Sequence, residues 1–591
     1  MSKPLIAAFV LLSIPYLAGQ NPADPRPPGE ADRLLATGKL WITVKYFHPY
    51  LAYRDIDWDQ ALIAALPKIR AAQTVEDYKA AVESMLEKLS DPETRVLSEE
   101  EGLRASAQTS ADGQRSWVHN GLPPETGNAS TSYYSAFFTR KASGSQIATV
   151  PMNGFTAAVR LSEPAAGNAP MVPNPAAQRA YPGAYPATEY RILAAYKIWG
   201  VFHYFFAYRD LMDEDWDDLL PVFLQRFIAA NDAREYNLAV AELLTHTADS
   251  QTQAQSEMLA AYFGQAPPGL RLRLIEKHAV VTEVCDPNAT KAGIRPGDIV
   301  KQVDGETLVD KFKREAQYVG ASTPQSLGYQ IMQRILDGPD GSVAALSIED
   351  RNGNRKDVSL KRSLRYSELL MKERSDGAVR VLPGSIGYAD LDRLQTADID
   401  GMFEKLRDTK SLVFDLRGSA AGEALARLAP RLTDQRDVPT AIFTGPVTMA
   451  PDIQQSEMSS QSSSYFFVQT LPNSSQWKYK GKTVMLIDER TIGPAEHAGL
   501  LLESASRTES VGSPSAGADS EVTNFTVPGG VTIYFSGCDI RHANGGKLQR
   551  LGLQPNVLAS PTLEGIRAGR DELLEKAIEY LSPDRKVAAL H

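Results

Sequence analysis

Hydroxyl, imidazole and carboxylate side chains occur in three segments near the carboxyl end of the chain. Ser513 and Ser515 stand in a Gly-Ser-Pro-Ser-Ala-Gly-Ala turn, Glu496 and His497 open a predicted helix, and His542 ends a predicted strand. A serine becomes a nucleophile when an imidazole accepts its proton, so either serine with either histidine is a candidate pair for acyl transfer. Turn hydroxyls more often bond local backbone, and a carboxylate near a helix N-terminus is favourable by itself. Catalytic and structural interpretations both stay open here.

Metal and cofactor chemistry has little support in the sequence. The two cysteines, Cys285 and Cys538, are too few for a disulfide framework, and the eight histidines form neither an HxH nor an HExxH pattern. We therefore expect no metal and no cofactor. The 62 Lys and Arg against 72 Asp and Glu give a net charge of −10, which argues against nucleic acid as a partner.

The length of 591 residues predicts roughly four domains at about 150 residues each. The N-terminus, residues 1–20, has one lysine followed by a short apolar run and then a proline-rich stretch, as in an export signal. We expect a secreted or periplasmic protein. Contact with a membrane is expected only if the signal stays uncleaved, because its cleavage site lacks a small residue where one is preferred.

A repeat at a fixed offset occupies the first half of the chain. Trp41 and Trp199 are 158 residues apart, and the same offset superposes an Asp-Trp-Asp turn and many further residues without a gap. The helical spacing of the aromatic residues predicts two copies of one helical unit with a buried aromatic core, over 30–97 and 189–262. The segment between them, 98–188, is rich in Ser, Pro and Gly and is predicted to be a partly ordered insertion.

Short strands follow the second copy over 266–364. They include the run Ala-Gly-Ile-Arg-Pro-Gly-Asp-Ile-Val-Lys-Gln-Val-Asp-Gly, which resembles the PDZ module. The resemblance implies that an extended peptide adds to the edge of its sheet, with Leu272, Leu274 and Ile275 as the predicted peptide-binding residues. A role as a spacer or lid is the alternative.

The last part, 380–582, alternates apolar strands with helical segments, which predicts an α/β open sheet. Its motifs Gly-Tyr-x-x-Leu, Phe-Asp-Leu-Arg-Gly, Leu-Ile-Asp-Glu-Arg-Thr-Ile and Val-Gly-Ser-Pro-Ser-Ala-Gly-Ala follow one another after the PDZ-like module. This order resembles the carboxyl-terminal processing (tail-specific) serine peptidase family, on its tricorn-core and retinoid-binding-protein side. The resemblance implies a multidomain fold with α-helical N-terminal units, a PDZ-like β module and a crotonase-like ββα core.

The resemblance also assigns positions to the nucleophile and the oxyanion donors. In the family, the nucleophilic serine stands three residues before a glutamate that corresponds to Glu496 here, so its position is Gly493, which has no hydroxyl. One oxyanion donor is the N–H of the next residue, which is Pro494 and has no N–H. The other donor corresponds to Gly418 or the residues just past it.

The catalytic base takes two forms in the family, and this chain has neither at the matching place. The lysine of the processing peptidases corresponds to Ala518, and the histidine of the tricorn-like branch corresponds to Gln251. The sequence therefore predicts a serine-type peptidase architecture that binds polypeptide, through its C-terminal end, with weak or no family-type hydrolysis. An active endopeptidase with a relocated Ser/His pair, or a non-enzymatic binder of peptides or apolar ligands, are the alternatives.

Overall fold

A computed structural model describes residues 29–106, 114–125, 138–141, 147–164, 180–181, 183–372, 377–418, 422–448, 450–451 and 463–582. The predicted export signal lies outside these residues. Within them, no helix is both long and apolar enough to cross a bilayer.

The two copies of the repeat fold into the same helices at the same offset. The first copy contains α1 (Glu30–Phe47), α2 (Trp58–Ala71) and α3 (Val75–Leu86), and the second contains α5 (Thr188–Phe205), α6 (Trp216–Ala229) and α7 (Ala233–Thr245). In each copy a tryptophan indole donates to the backbone carbonyl of the preceding aromatic helix, over 3.0 Å from Trp58 to Trp41 and over 2.9 Å from Trp216 to Trp199. Both copies share one buried core, so the predicted aromatic stripe is packing surface.

The segment between the copies contains more paired structure than its composition predicts. Its described parts hold β1 (Arg95–Leu97), α4 (Glu99–Ser106), β2 (Gln114–Asn120), β3 (Phe138–Lys141), β4 (Ile147–Pro151), β5 (Thr156–Arg160) and β6 (Glu163–Pro164). Strand β2 pairs with a strand of the C-terminal core. Sequence pattern could not indicate this pairing, because the partner lies more than 300 residues further along the chain.

After α7 come β7 (Gln253–Gln255) and α8 (Glu257–Phe263), and then the middle module, residues 266–364. The module contains β8 (Leu270–Ile275), β9 (His278–Val284), α9 (Pro287–Lys291), β10 (Ile299–Val303), β11 (Glu306–Thr307), α10 (Leu308–Ala316), α11 (Pro324–Met332), β12 (Val343–Glu349) and β13 (Arg355–Lys361). Its sheet has the order β13-β12-β10-β9-β8, with β11 beside β10, so β8 is an edge strand.

The C-terminal core is built on a mostly parallel sheet. Helix α12 (Leu364–Lys372) leads into β14 (Val379–Leu382), β15 (Ile386–Asp390), α13 (Ile399–Lys405), β16 (Ser411–Asp415), α14 (Gly422–Leu428), β17 (Pro439–Thr448), β18 (Ser463–Thr470), β19 (Lys482–Ile487), α15 (Pro494–Ser506) and β20 (Glu509–Gly512). The sheet order is β14-β15-β16-β19-β20-β24, where β24 spans Val557–Leu558, and every pair except the first is parallel.

The chain ends with β21 (Val522–Val527), β22 (Val531–Ser536), β23 (Asp539–His542), β24 (Val557–Leu558), α16 (Leu563–Arg567) and α17 (Glu572–Leu581). The pattern of residues 564–581 predicts one amphipathic helix, and this prediction is wrong. Gly569 takes a positive φ of 69°, and Asp571 caps a new helix by accepting from the N–H of Leu574 at 3.1 Å. A glycine in this conformation ends one helix, and a capping aspartate begins the next.

Candidate functional site

The strand-to-helix turn between β19 and α15 holds the first site residue, Gly493. Its backbone has φ 54° and ψ −115°, and it caps the N-terminus of α15, whose first residue is Pro494. Glycine adopts a positive φ without a steric penalty, whereas other residues are strained there. A strained strand-to-helix turn is the backbone shape that exposes a nucleophile in serine hydrolases of another fold.

A side chain at position 493 would point directly at two other predicted site residues. A Cβ built on Gly493 lies 3.2 Å from Nε2 of Gln251 and 3.8 Å from the carbonyl oxygen of Ala518. The Gln251 amide donates to that same carbonyl of Ala518. The structure thus brings Gly493, Gln251 and Ala518 together, although they come from distant parts of the chain.

The turn that carries Gln251 is fixed from both sides. Fully buried Asp249 accepts from the N–H of Gln251 at 3.2 Å, from the Thr252 hydroxyl at 2.8 Å and from Nε2 of Gln549 at 3.1 Å. Strand β7 then pairs with β22 of the C-terminal core. Gln251 is therefore held against the core even though it belongs to the helical unit.

Gly418 lies at the same edge of the core sheet as Gly493. It follows β16, which runs parallel to β19, so both residues come after the carboxyl ends of adjacent strands. The hydroxyl of Thr491, two residues before Gly493, donates to the carbonyl of Leu416 at 2.9 Å and ties the two loops together. A Cβ on Gly418 would meet Oδ2 of Asp392 at 2.6 Å. Pro494 offers no N–H at the position where the second donor is expected.

Glu496 is fully buried, one turn into α15. Its carboxylate accepts from the Ser515 hydroxyl, from the N–H of Gly517 at 2.7 Å and from the N–H of Ala518 at 2.8 Å. Burial raises the pKa of Glu496 to about 7, against the lowering effect of these hydrogen bonds. Glu496 thus fastens the turn over 513–518 to α15.

His497 lies between two oxygen acceptors. Its Nδ1 is 3.1 Å from Oδ2 of Asp519, and its Nε2 is 3.0 Å from Oε1 of Gln469 on β18. Burial alone would lower the pKa of His497, but the charge and hydrogen bond of Asp519 outweigh it and raise the pKa. With an acceptor at each nitrogen, the geometry suits the doubly protonated imidazolium.

The alternative serine and histidine pairs do not form in the described residues. The Ser515 hydroxyl is buried, donates to Glu496 and accepts from the N–H of Leu553 at 2.7 Å. His542 lies 3.1 Å from the carboxylate of Glu503 at the far end of α15. Ser513 is half-buried, and no hydrogen bond joins either serine to His497 or His542.

The three predicted peptide-binding leucine and isoleucine residues differ in accessibility. Leu274 is 48% exposed on the edge strand β8, next to α11, whereas Leu272 and Ile275 are buried. Leu272 packs in the core of the middle module, and Ile275 packs against helix α16. The side chains of Leu272 and Ile275 therefore do not line an open groove. Of the predicted peptide contacts, Leu274 and the backbone edge of β8 stay candidates.

Sequence reasoning missed the residue that joins the middle module to the Gly493 loop. Arg273, on β8, lies 3.0 Å from Oδ2 of Asp488 and 2.6 Å from Oε1 of Glu489, both in the loop that leads to Gly493. Asp488 is fully buried; burial raises its pKa, but the charges of Arg490 and Arg273 outweigh this and lower it. A lone arginine in an edge strand belongs to no motif, so no sequence pattern indicated this contact.

Comparison with known proteins agrees with this architecture. Two crystal structures of CPAF resemble this chain, one of the mature protein and one of a mutant, with sequence identities of 12% and 13%. Each match covers 68% of this chain and 99% of the CPAF chain, and the TM-scores are 0.50 and 0.51. The photosystem II D1 C-terminal processing protease is 18% identical, with coverage of 64% and 97% and a TM-score of 0.39. No curated protein matches the sequence.

The CPAF structures share the fold of this chain, which is multidomain with an α/β core. A family model, that of peptidase family S41, matches residues 384–559, the part of the core that holds Gly418, Gly493, Pro494 and Ala518. Residues 384–559 are therefore similar in sequence to peptidase family S41.

Proposed function

We propose that this protein is an exported member of family S41 that binds polypeptides and has little or no hydrolytic activity of the family type. One observation carries the proposal. A side chain at position 493 would start 3.2 Å from the Gln251 amide and 3.8 Å from the Ala518 carbonyl. Three positions that the family resemblance assigns to the nucleophile and to its two alternative bases therefore meet, and none has a group that can do the chemistry.

The chemical consequence follows from what each residue lacks. Gly493 has no hydroxyl to attack a carbonyl, and neither the amide of Gln251 nor the methyl of Ala518 can accept a proton at neutral pH. Pro494 has no N–H for an oxyanion. Loss of one oxyanion donor alone costs on the order of 10² to 10³ in rate, and loss of nucleophile and base costs far more.

A relocated active site has less support. Ser515 is buried with both a donor and an acceptor partner, and His542 is paired with Glu503. A nucleophile must be reachable by substrate and hydrogen-bonded to its base, at least in the bound state. A binder of apolar ligands remains the other alternative, separable by the probes below.

Polypeptide is the ligand class that family membership suggests. Among the described strands, β8 pairs with β9 on one side only, which suits strand addition, and exposed Leu274 lies beside helix α11. Arg273 in the same strand holds the loop before Gly493, so a peptide on β8 lies beside the candidate site. We propose that a peptide binds here through its C-terminal end.

The activity is tested on the chain without residues 1–20, with a fluorophosphonate probe and a quenched peptide library. We expect no labelled serine and no cleavage. Cleavage that disappears in Ser513→Ala, Ser515→Ala or His542→Ala would instead establish a relocated site.

Binding is tested by calorimetry with peptides that end in a free carboxylate, the same peptides as C-terminal amides, and a fatty alcohol as an apolar probe. We expect the free-acid peptides to bind most tightly and Leu274→Glu to weaken them. Binding of the alcohol alone would favour an apolar-ligand protein.

The proposal that the protein is exported rests on the sequence of residues 1–20. Expression with and without this segment, followed by N-terminal sequencing of material outside the cytoplasm, tests it. A full-length chain retained in the cytoplasm would contradict export.

A further inference from the structure

Strand β18 of the β17–β18 hairpin lies at the edge of its sheet in the part of the chain that the structure describes. In its sheet, β18 pairs with β17 on one side, while β17 also contacts β2 and β23. Among the described strands, none pairs with the other side of β18. An open edge leaves a row of backbone N–H and C=O groups available to another strand.

The two strands of this hairpin carry no charge. Strands β17 and β18, of 10 and 8 residues, contain no Asp, Glu, Lys or Arg, although 23% of the chain is charged. Natural proteins usually protect an open edge with a charged residue, a proline on the edge or a short strand. Strand β18 has eight residues, no proline and no charge, so none of these protections applies to it.

The same strand exposes large apolar side chains. Phe466 is 75% exposed, Phe467 42% and Val468 38%. Across the hairpin, Phe466 pairs with Thr444 and Val468 with Ile442, which extends the uncharged surface over two strands. Apolar side chains gathered at an open edge mark an interaction surface.

We propose that β18 is the contact strand of a homodimer, in which two copies pair their β18 edges antiparallel about a two-fold axis. Such pairing places residues of the strand opposite residues of the same strand in the other copy, so a charge near the axis would lie close to the same charge of that copy. The pairing therefore favours a strand with no charge near the axis. A strand without charges meets this condition.

The net charge also favours a second copy at this surface over a foreign charged segment. Each chain carries −10, so two copies repel, and they can approach most closely at surfaces that bear no charge. An acidic or basic peptide would find no opposite charge on β18. The occupant we expect is therefore a second copy of this chain.

The test is sedimentation velocity and light scattering of the chain without residues 1–20, over a range of concentrations and salt. We expect a dimer that becomes tighter as salt increases, because screening weakens the repulsion between the two negative chains. Phe466→Lys should weaken association by about tenfold or more, since it places like charges across the axis. Val468→Lys should do the same.

Val309→Lys is the matched control, because Val309 is 64% exposed on α10, away from the hairpin, and should leave the dimer intact. Unchanged melting temperatures of all three variants show that they are folded. A wild-type chain that stays monomeric at every concentration and salt, or a dimer that survives both β18 substitutions, overturns the proposal. A monomer that associates only after an uncharged peptide is added would assign β18 to a polypeptide partner instead.

Discussion

Nε2 of Gln251 lies 3.2 Å from the point where a side chain on Gly493 would begin. The two residues are 242 positions apart in the chain and reach each other because β7 pairs with β22. In a working serine hydrolase, the nucleophile hydroxyl and its base lie within hydrogen-bond reach of each other, and a hydroxyl carried on this Cβ can come within that reach. Here the same geometry joins a residue without a side chain to a neutral amide.

Gly493→Ser alone should not produce a peptidase. The new hydroxyl would face an amide that cannot accept its proton, and Pro494 still withholds an oxyanion donor. We expect a fluorophosphonate to label the triple variant Gly493→Ser, Pro494→Gln, Gln251→His. Robust hydrolysis by the single variant would show that base and donor come from other residues.

The same single substitution should reduce stability. A serine at φ 54° and ψ −115° leaves the conformations that L-residues favour, which costs about 1–3 kcal/mol. Gly530→Ser is the control, because Gly530 also has a positive φ, of 69°, but has open space around it. Urea unfolding of both variants separates the effect of a positive φ, which they share, from the effects of the ψ of −115° and of crowding against Gln251 at position 493. An unchanged midpoint for Gly493→Ser would mean that the turn relaxes.

Glu496 should make the folded state less stable as the pH rises. Its pKa is raised by burial to about 7 in the folded protein, against about 4.3 for an unfolded glutamate. Between these values the folded state holds a proton that the unfolded state has lost, so the free energy of unfolding falls with increasing pH. The loss is complete above about pH 7. Glu496→Gln removes this dependence, whatever its effect on absolute stability, and urea unfolding at several pH values measures it. Equal slopes for both proteins would contradict the raised pKa.

Asp519 should hold the His497 imidazole in its charged form. Its carboxylate lies 3.1 Å from Nδ1 and offsets the cost of burying the ring, so Asp519→Asn should lower the pKa of His497. The control is Glu503→Gln, which removes the carboxylate beside His542 instead. NMR titration of the histidine ring protons reads both residues in one sample. A His497 pKa that moves equally in the two variants would rule out a specific Asp519 effect.

Features that depend on a short stretch of chain could be predicted from the sequence. The helices of the two copies follow the offset in the sequence because each copy buries the corresponding tryptophans. Positions could be assigned to Gly493 and Ala518 from the family resemblance because both residues lie within motifs. Contacts between distant segments were not predictable, since no local pattern specifies that β2 pairs with β17 or that Arg273 meets Asp488. The burial of Leu272 and Ile275 was missed for a related reason. The alternation of apolar and polar residues along a strand does not show which other part of the protein covers that strand.

The two copies of the repeat should depend equally on their tryptophan hydrogen bonds. Trp58 and Trp216 are buried, each with its indole N–H on a carbonyl of the preceding helix at about the same distance. Substitution by phenylalanine removes this hydrogen bond and opens a small cavity, which should cost about 1–3 kcal/mol in either copy. Urea unfolding of Trp58→Phe and Trp216→Phe measures the two values. Because both copies share one core, we expect a single transition in each variant. A separate early transition in Trp58→Phe alone would show that the first copy unfolds independently of the rest.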